Sequence, residues 1–234
     1  MNPEISIIIP AYNEEDRLGL TLAKLVNYFD TTTLSYEIIV VDDGSTDSTI
    51  EVANSLQNIK VIPQIKNQGK GAAVRRGMLE AMGSFRMFTD ADLSTPIYEF
   101  VKLYSKFKTG YEICLGSRAV DYSMIKLHQP FYREFMGKTF NKIVQYLVVK
   151  GIKDTQCGFK GFSAKATEEI FKIAKINGFG FDVELIYLAR RLNYKMIEIP
   201  VEWYNDNRSK VSPVKDSIRM FQEILKIRKL HRNL

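Results

Sequence analysis

Asp90 and Asp92 are separated only by Ala91 and follow the apolar-leaning run Phe85-Arg86-Met87-Phe88. Two carboxylates so spaced, on a loop leaving a strand, can turn toward one divalent cation. Hard oxygen ligands suit Mg²⁺ or Mn²⁺, and Mg²⁺ typically takes one or two carboxylates and fills its shell with substrate phosphates. The pair therefore reads as a grip for a cation carrying a diphosphate. A second pair, Asp42-Asp43, ends the apolar run Glu37-Ile38-Ile39-Val40-Val41. Four aspartates brought together without a cation or basic partners would repel one another. The plain alternative is that Asp42 or Asp90 caps the helix that follows.

Other residues offer related chemistry. Gly69-Lys70-Gly71 opens an expected helix, whose free N–H groups and nearby ammonium suit a phosphate; a tight turn with a solvated lysine is the alternative. It is not a Walker loop, because Gln64 stands where the earlier glycine belongs and Gly71 where Ser or Thr is needed. The first strand lacks a following G-x-G-x-x-G, which argues against a dinucleotide oxidoreductase. In Gly180-Phe181-Asp182-Val183-Glu184, one carboxylate can act as a general base, or Asp182 can cap the helix. Cys157 has no histidine in a recognisable motif, since only His128 and His231 exist.

The elements that must position these groups follow from periodicity. Ile5–Ile9, Glu37–Val41, Ile59–Ile62, Ser84–Thr89 and Ile113–Gly116 read as short buried strands, each separated by a helical stretch. Asn13 is expected to cap a helix from Glu14 that presents Leu18, Leu22, Leu25 and Phe29, and Ser45 or Thr46 the next. Five alternations with short links imply an α/β fold with a mainly parallel sheet covered by helices. Ligands bind such sheets beyond the carboxyl ends of the strands. Ala11-Tyr12-Asn13-Glu14, Asp42-Asp43-Gly44, Asp90-Ala91-Asp92 and Ser117-Arg118 all fall there.

After Arg118 the alternation breaks. Residues 126–150 mix aromatic, aliphatic and basic residues and read as helix with an apolar face. Asp154 to Phe162 reads as a polar, glycine-bearing loop, and Met196 to Val201 as a late strand. Pro213 to Leu234 reads as one helix with Ile218, Phe221, Ile224 and Leu225 on an apolar face. From Lys215 onward it carries six Lys or Arg against two Asp or Glu, which suits an interfacial helix on anionic lipid. The domain division is thus 1–212, with halves 1–118 and 119–212, followed by the helix 213–234.

The 234 residues, 45% hydrophobic and 26% charged, suit one soluble domain. A net charge of +6 favours anionic partners. Two cysteines without metal-type spacing suit a reducing compartment. The chain shows neither a signal peptide nor the roughly 18 apolar residues of a spanning helix. The expectation is a cytoplasmic protein, attached peripherally to the cytoplasmic face of a membrane. Acidic residues on the inferred rim argue against nucleic acid.

Ile7-Ile8-Ile9-Pro10-Ala11-Tyr12-Asn13-Glu14, Val40 to Asp47 and Asp90-Ala91-Asp92 resemble family 2 glycosyltransferases of the GT-A fold. Asn67 to Arg75, Asp154 to Lys160, and Ser209-Lys210-Val211 after Trp203 are similar to the dolichyl-phosphate β-glucosyltransferase branch and its polyprenyl-phosphate relatives. The resemblance spans Ile5 to about Val211. It implies that Pro10, Ala11, Tyr12, Glu14 and Asp42 form a nucleotide-binding wall, with Asp42 near the base or ribose. Asp90, Ala91 and Asp92 would meet the metal (Mg²⁺ or Mn²⁺) and diphosphate, with Lys70 beside the phosphates. Arg118 and Arg133 would bind phosphate. Gln156, Asp182, Ser209 and Lys210 would lie near the acceptor or close over the donor. The implied reaction is inverting transfer of a hexose, UDP-glucose being the favoured donor, onto a polyprenyl or dolichyl phosphate. Many relatives carry membrane helices that this sequence lacks, so attachment is expected to be peripheral or through a partner.

Rival readings make distinct demands. A glycan hydroxyl acceptor would need Asp182 or Glu184 as base. A polyprenyl-phosphate mannosyltransferase would take GDP-mannose. A sugar nucleotidyltransferase would want a glycine- and arginine-bearing loop in place of Ala11-Tyr12-Asn13-Glu14-Glu15. A basic membrane-binding module would need no strand-end aspartates.

Overall fold

The computed structural model describes residues 2–127, 137, 139, 141–145, 148–206 and 215–234, with residues 215–217 described by backbone alone. Seven strands form the main sheet. They are β1 (Ile5–Ala11), β2 (Tyr36–Asp42), β3 (Ile59–Pro63), β4 (Phe85–Thr89), β5 (Ile113–Ser117), β7 (Phe159–Ser163) and β8 (Met196–Pro200). The spatial order is β3-β2-β1-β4-β7-β5-β8. A separate ribbon pairs β6 (Ile125–Leu127) with β9 (Trp203–Tyr204).

The near-continuous apolar strands are explained by helices on both faces. Side chains alternate across the sheet: Ile8, Ile39, Val41 and Phe88 join one cluster, and Ile7, Ile9, Val40 and Met87 the other. The first cluster is closed by α3 (Lys70–Glu80), α5 (Ala164–Ile173), α6 (Phe181–Arg191) and α7 (Lys215–Leu230). The second is closed by α1 (Leu18–Asp30), α2 (Thr49–Asn54) and α4 (Phe100–Lys108). Leu18, Leu22, Leu25 and Phe29 of α1 are all fully buried, as their spacing predicts.

Several local expectations change. Helix α1 begins at Leu18 rather than Glu14. Asn13 adopts a left-handed backbone (φ 55°), and its Oδ1 accepts the Thr46 N–H at 2.8 Å. Ser45 returns the link, its Oγ accepting the Asn13 N–H at 2.8 Å, so neither caps a helix. These bonds stitch the loops after β1 and β2 together at the rim.

The larger difference is β7. The polar run expected to be loop from Asp154 to Phe162 ends in a strand that pairs antiparallel with both β4 and β5. It enters the sheet from the opposite direction, so its beginning meets the carboxyl ends of its neighbours.

Helix α7 also departs from expectation. It buries Met220, Ile224, Ile227 and His231 against the domain, while Ile218 and Leu225 are 57% and 54% exposed. Buried Glu184 fixes its end, accepting His231 Nε2 at 2.6 Å and the N–H groups of Lys175 (2.9 Å) and Ile176 (2.8 Å). Among the described residues no helix is long and apolar enough to cross a membrane. Residues 141–145 are helical. Residues 128–136, 138, 140, 146 and 147 lie outside the described residues, His128 among them.

Candidate active site

At the carboxyl ends of β1, β2 and β4 lies a cavity of about 440 Å³. Pro10, Ala11, Tyr12 and Glu14 form one wall, Asp90, Ala91 and Asp92 another, and Lys70 a third. Eight residues expected at a nucleotide–diphosphate site thus meet in one space. Arg17, Asp43, Arg219 from α7, and Gly178 and Phe179 before α6 also line it.

Lys70 is aimed by the start of α3. Gly69 precedes it with φ +104°, where a side chain would be strained and its Cβ would meet the Asn177 carbonyl oxygen. Asp43 fastens this turn, accepting the Gln68 and Gly69 N–H groups at 2.7 and 2.8 Å. From there Lys70 Nζ contacts Asp90 Oδ1. Burial would lower the Lys70 pKa, but Asp90, Asp182 and Asp92 outweigh it and raise it. The lysine is therefore cationic at neutral pH.

Asp92 Oδ1 accepts the Ser94 N–H at 2.9 Å, which orients the carboxylate. Burial first, and then repulsion from Asp90, raises its pKa against the opposing pull of Ser94 and Arg17. A carboxylate so placed gains from an added cation. Among the described residues no group of three or more histidine, cysteine or carboxylate side chains surrounds a metal position. Two aspartates with hard oxygen atoms nonetheless meet the requirement of an Mg²⁺ or Mn²⁺ that arrives with a diphosphate. Gly158 leaves room for this pair, since a Cβ there would overlap the Asp90 carboxylate.

Asp42 lies beneath the cavity, fully buried. Its Oδ2 accepts the Gly44 and Ser45 N–H groups, both at 3.1 Å, and its buried Oδ1 has no hydrogen-bond partner. Asp43, not Asp42, reaches the cavity lining. A buried acceptor left open is costly unless a ligand donor meets it.

Arg118 lies outside the lining. Its Nε and Nη2 donate to Asp154 at 2.7 and 2.9 Å, and its guanidinium sits 5.4 Å from the Trp203 ring. Burial alone would raise the Asp154 pKa, but Arg118 overrides it and holds the group at about 2. With the folded value below the unfolded one, the stabilisation is fully present above the ordinary carboxylate pKa and vanishes as pH falls toward about 2. Asp154→Asn should therefore cost about 2 kcal/mol at neutral pH and flatten the acid limb of a urea-unfolding series.

Gln156 donates its backbone N–H to Asp154 Oδ1 at 3.2 Å, and its side chain packs on Met220. Asp182 is buried at the first turn of α6, where Lys160 Nζ donates to its Oδ1 at 2.5 Å and to the Cys157 carbonyl at 2.6 Å. Arg133, Ser209 and Lys210 lie outside the described residues.

Burial pushes the Cys157 thiol up to about 11 and the Cys114 thiol up to about 12. Native protein at pH 7.5 should therefore resist iodoacetamide, while denatured protein gains two adducts by intact mass.

Arg17 escaped the sequence reading, and Asp154 and Lys160 were named there only as the ends of a motif, without the buried ion pairs they make. Lys160 had a signal: it sits in Phe159-Lys160-Gly161-Phe162, a lone charge among large apolar residues.

The comparisons agree with this geometry. The model of the family described as Glycosyl transferase family 2 matches residues 6–171. A dolichyl-phosphate β-glucosyltransferase of Dictyostelium discoideum is 37% identical, over 97% of this chain and 74% of its own. One from Homo sapiens is 33% identical, over 96% and 75%. Glucosyl-3-phosphoglycerate synthase from Mycobacterium tuberculosis, solved with Mn²⁺, UDP and glucosyl-3-phosphoglycerate, superposes with a TM-score of 0.71 at 17% identity, covering 96% of this chain and 78% of that one. The shared fold is GT-A. The lysine and paired aspartates at the strand ends thus stand on a scaffold that sequence and fold both trace to one group: the chain belongs to glycosyltransferase family 2 and is a glycosyltransferase.

Proposed function

We propose that the protein transfers glucose from UDP-glucose to a dolichyl or other polyprenyl phosphate, with inversion at the anomeric carbon. The names of the curated relatives favour this sugar and acceptor. The observation that carries the acceptor class is the engagement of the two α6 carboxylates. Glu184 is held by two backbone N–H groups and His231, and Asp182 Oδ1 by Lys160. A hydroxyl acceptor needs a base, whereas a phosphate monoester, with a second pKa near ~6, is already a nucleophilic dianion at neutral pH.

The step then balances without a proton. A phosphate oxygen forms a bond to the anomeric carbon as the bond to the β-phosphate oxygen breaks. The acceptor loses one negative charge and the departing UDP gains one. Lys70 faces that developing charge, fixed in place before the reaction, which is where electrostatic stabilisation acts most strongly. Asp90 and Asp92 would hold Mg²⁺ or Mn²⁺, which supplies further neutralisation of the leaving diphosphate. Asp206 approaches Arg17, which lines the cavity.

Peripheral membrane attachment, at the cytoplasmic face, completes the reading. The outward side of α7 supports it, carrying exposed Ile218 and Leu225 beside exposed Lys229, with exposed Arg232 just past its end.

The test incubates the protein with polyprenyl phosphate, Mg²⁺ or Mn²⁺, and separate nucleotide sugars. Lipid-linked glucose from UDP-glucose is the expected product. Product only from GDP-mannose would overturn the glucosyl assignment, and product only with a glycan acceptor would overturn the phosphate acceptor.

A further inference from the structure

Arg17 precedes α1 and has no part in the reaction described so far. Its guanidinium is nearly enclosed, with 11% of the side chain exposed. Glu14 takes one edge: Nε contacts Oε2, and Nη2 donates to Oε1 at 2.7 Å. Glu14 is itself held by the start of α2, its N–H donating to Thr49 Oγ1 at 2.7 Å. The remaining nitrogen, Nη1, is buried and lacks a hydrogen-bond partner. It faces two carboxylates from distant parts of the chain, Asp92 Oδ2 at 3.7 Å and Asp206 Oδ2 at 3.5 Å. A second cavity of about 850 Å³ shares Asp92 with the first and adds Asp206. Arg17 lines the first cavity, and the two carboxylates it faces line the second.

Three carboxylates converge on one positive charge. The carboxylates of Asp92 and Asp206 are close enough for strong attraction but too far for a hydrogen bond to Nη1. The guanidinium offsets part of their charge without a hydrogen bond from Nη1 to either Oδ2. A divalent cation approaching Asp92 alone meets a carboxylate already neutralised in part, and it also meets repulsion from Arg17. A cation arriving with a diphosphate brings its own oxygen ligands and negative charge, so Arg17 opposes it far less.

We propose that Arg17 is a positioning residue that acts as an internal counter-ion to Asp92 and Asp206. It suppresses capture of a free divalent cation and makes cation binding depend on the nucleotide diphosphate. This rests on the reading of Asp92 as a residue that faces the cation.

The test measures Mn²⁺ binding by electron paramagnetic resonance or calorimetry, with no acceptor and no turnover. Wild type should bind Mn²⁺ alone weakly and at least about tenfold more tightly when UDP is present. Arg17→Met should bind Mn²⁺ alone at least about tenfold more tightly than wild type, because three facing carboxylates lose their counter-charge. Arg17→Gln, which keeps an amide donor for Glu14, should do the same and guards against misfolding of the first variant. Arg17→Lys should return toward wild type. Adding Asp206→Asn to Arg17→Gln should give back much of the gain. If wild type with UDP binds no Mn²⁺, the reading of Asp92 fails and this proposal with it. If wild type behaves as expected but neither charge-removing variant gains affinity, only the counter-ion role of Arg17 is overturned.

Discussion

Asp92→Ala should reduce hexose transfer by about 10³-fold or more in kcat, while far-UV circular dichroism and the urea midpoint should stay near wild type. The size follows from the task. In the proposed reaction negative charge builds on the leaving diphosphate, and removing one fixed group that stabilises it typically costs 10²–10³-fold, about 3–4 kcal/mol. Asp92 would also help hold the divalent cation, whose contribution is lost with it. The small effect on folding follows from the local structure. Asp92 lies on the loop beyond β4, with 19% of its side chain exposed, and its hydrogen bond at 2.9 Å goes to the neighbouring Ser94 N–H. Arg17 keeps Glu14 and Asp206 when Asp92 is lost. Full activity in this variant would remove Asp92 from the mechanism.

Lys160→Met has the opposite signature, a large loss of stability. Lys160 is fully buried, with its ammonium 5.6 Å from the Phe88 ring and bonded to Asp182 and the Cys157 carbonyl. Methionine fills a similar volume but leaves Asp182 buried without its nearest cation. Breaking a buried pair from one side typically costs about 3–5 kcal/mol. Burial already raises the Asp182 pKa against the pull of Lys160 and then Lys70, and removing Lys160 raises it further. A carboxyl with a folded pKa above its unfolded value binds its proton more tightly in the native state. The penalty is therefore smallest below the unfolded pKa and grows as pH rises through the folded one. Urea titrations at about pH 5 and about pH 8 should show the larger deficit at the higher pH. Lys160→Met with Asp182→Leu should recover much of the loss, because both partners are then apolar. An unchanged midpoint in the single variant would show that Asp182 does not depend on Lys160.

Both predictions concern residues near Asp90, yet only Asp92 was legible in the sequence. Asp92 sits at the end of an apolar run, and parallel strands deliver their carboxyl ends to one rim. The same reasoning put Tyr12 and Glu14 on the rim, the start of an expected helix offered Lys70 to a phosphate, and Pro10 came from the family resemblance. It misassigned local roles where several bonds were available. Asn13 and Ser45 can each cap a helix, but the loops after β1 and β2 lie side by side, and the two residues bond across that gap instead. Glu184 has the spacing of a base beside Asp182, but buried His231, 47 residues away, claims it together with two backbone N–H groups.

The sequence by itself determined the alternation of apolar strands and amphipathic helices. It also determined which strand ends carry carboxylates, because periodicity and strand polarity are local properties. Only the tertiary structure decided the antiparallel entry of β7, which brings Lys160 to Asp182 from 22 residues away. It alone placed Arg17 between Asp92 and Asp206, and turned the buried side of α7 toward the domain. The physical reason is common to all three. A charge is read from sequence as solvated, and the partner that makes its burial tolerable is supplied by a remote segment that only the folded chain brings near.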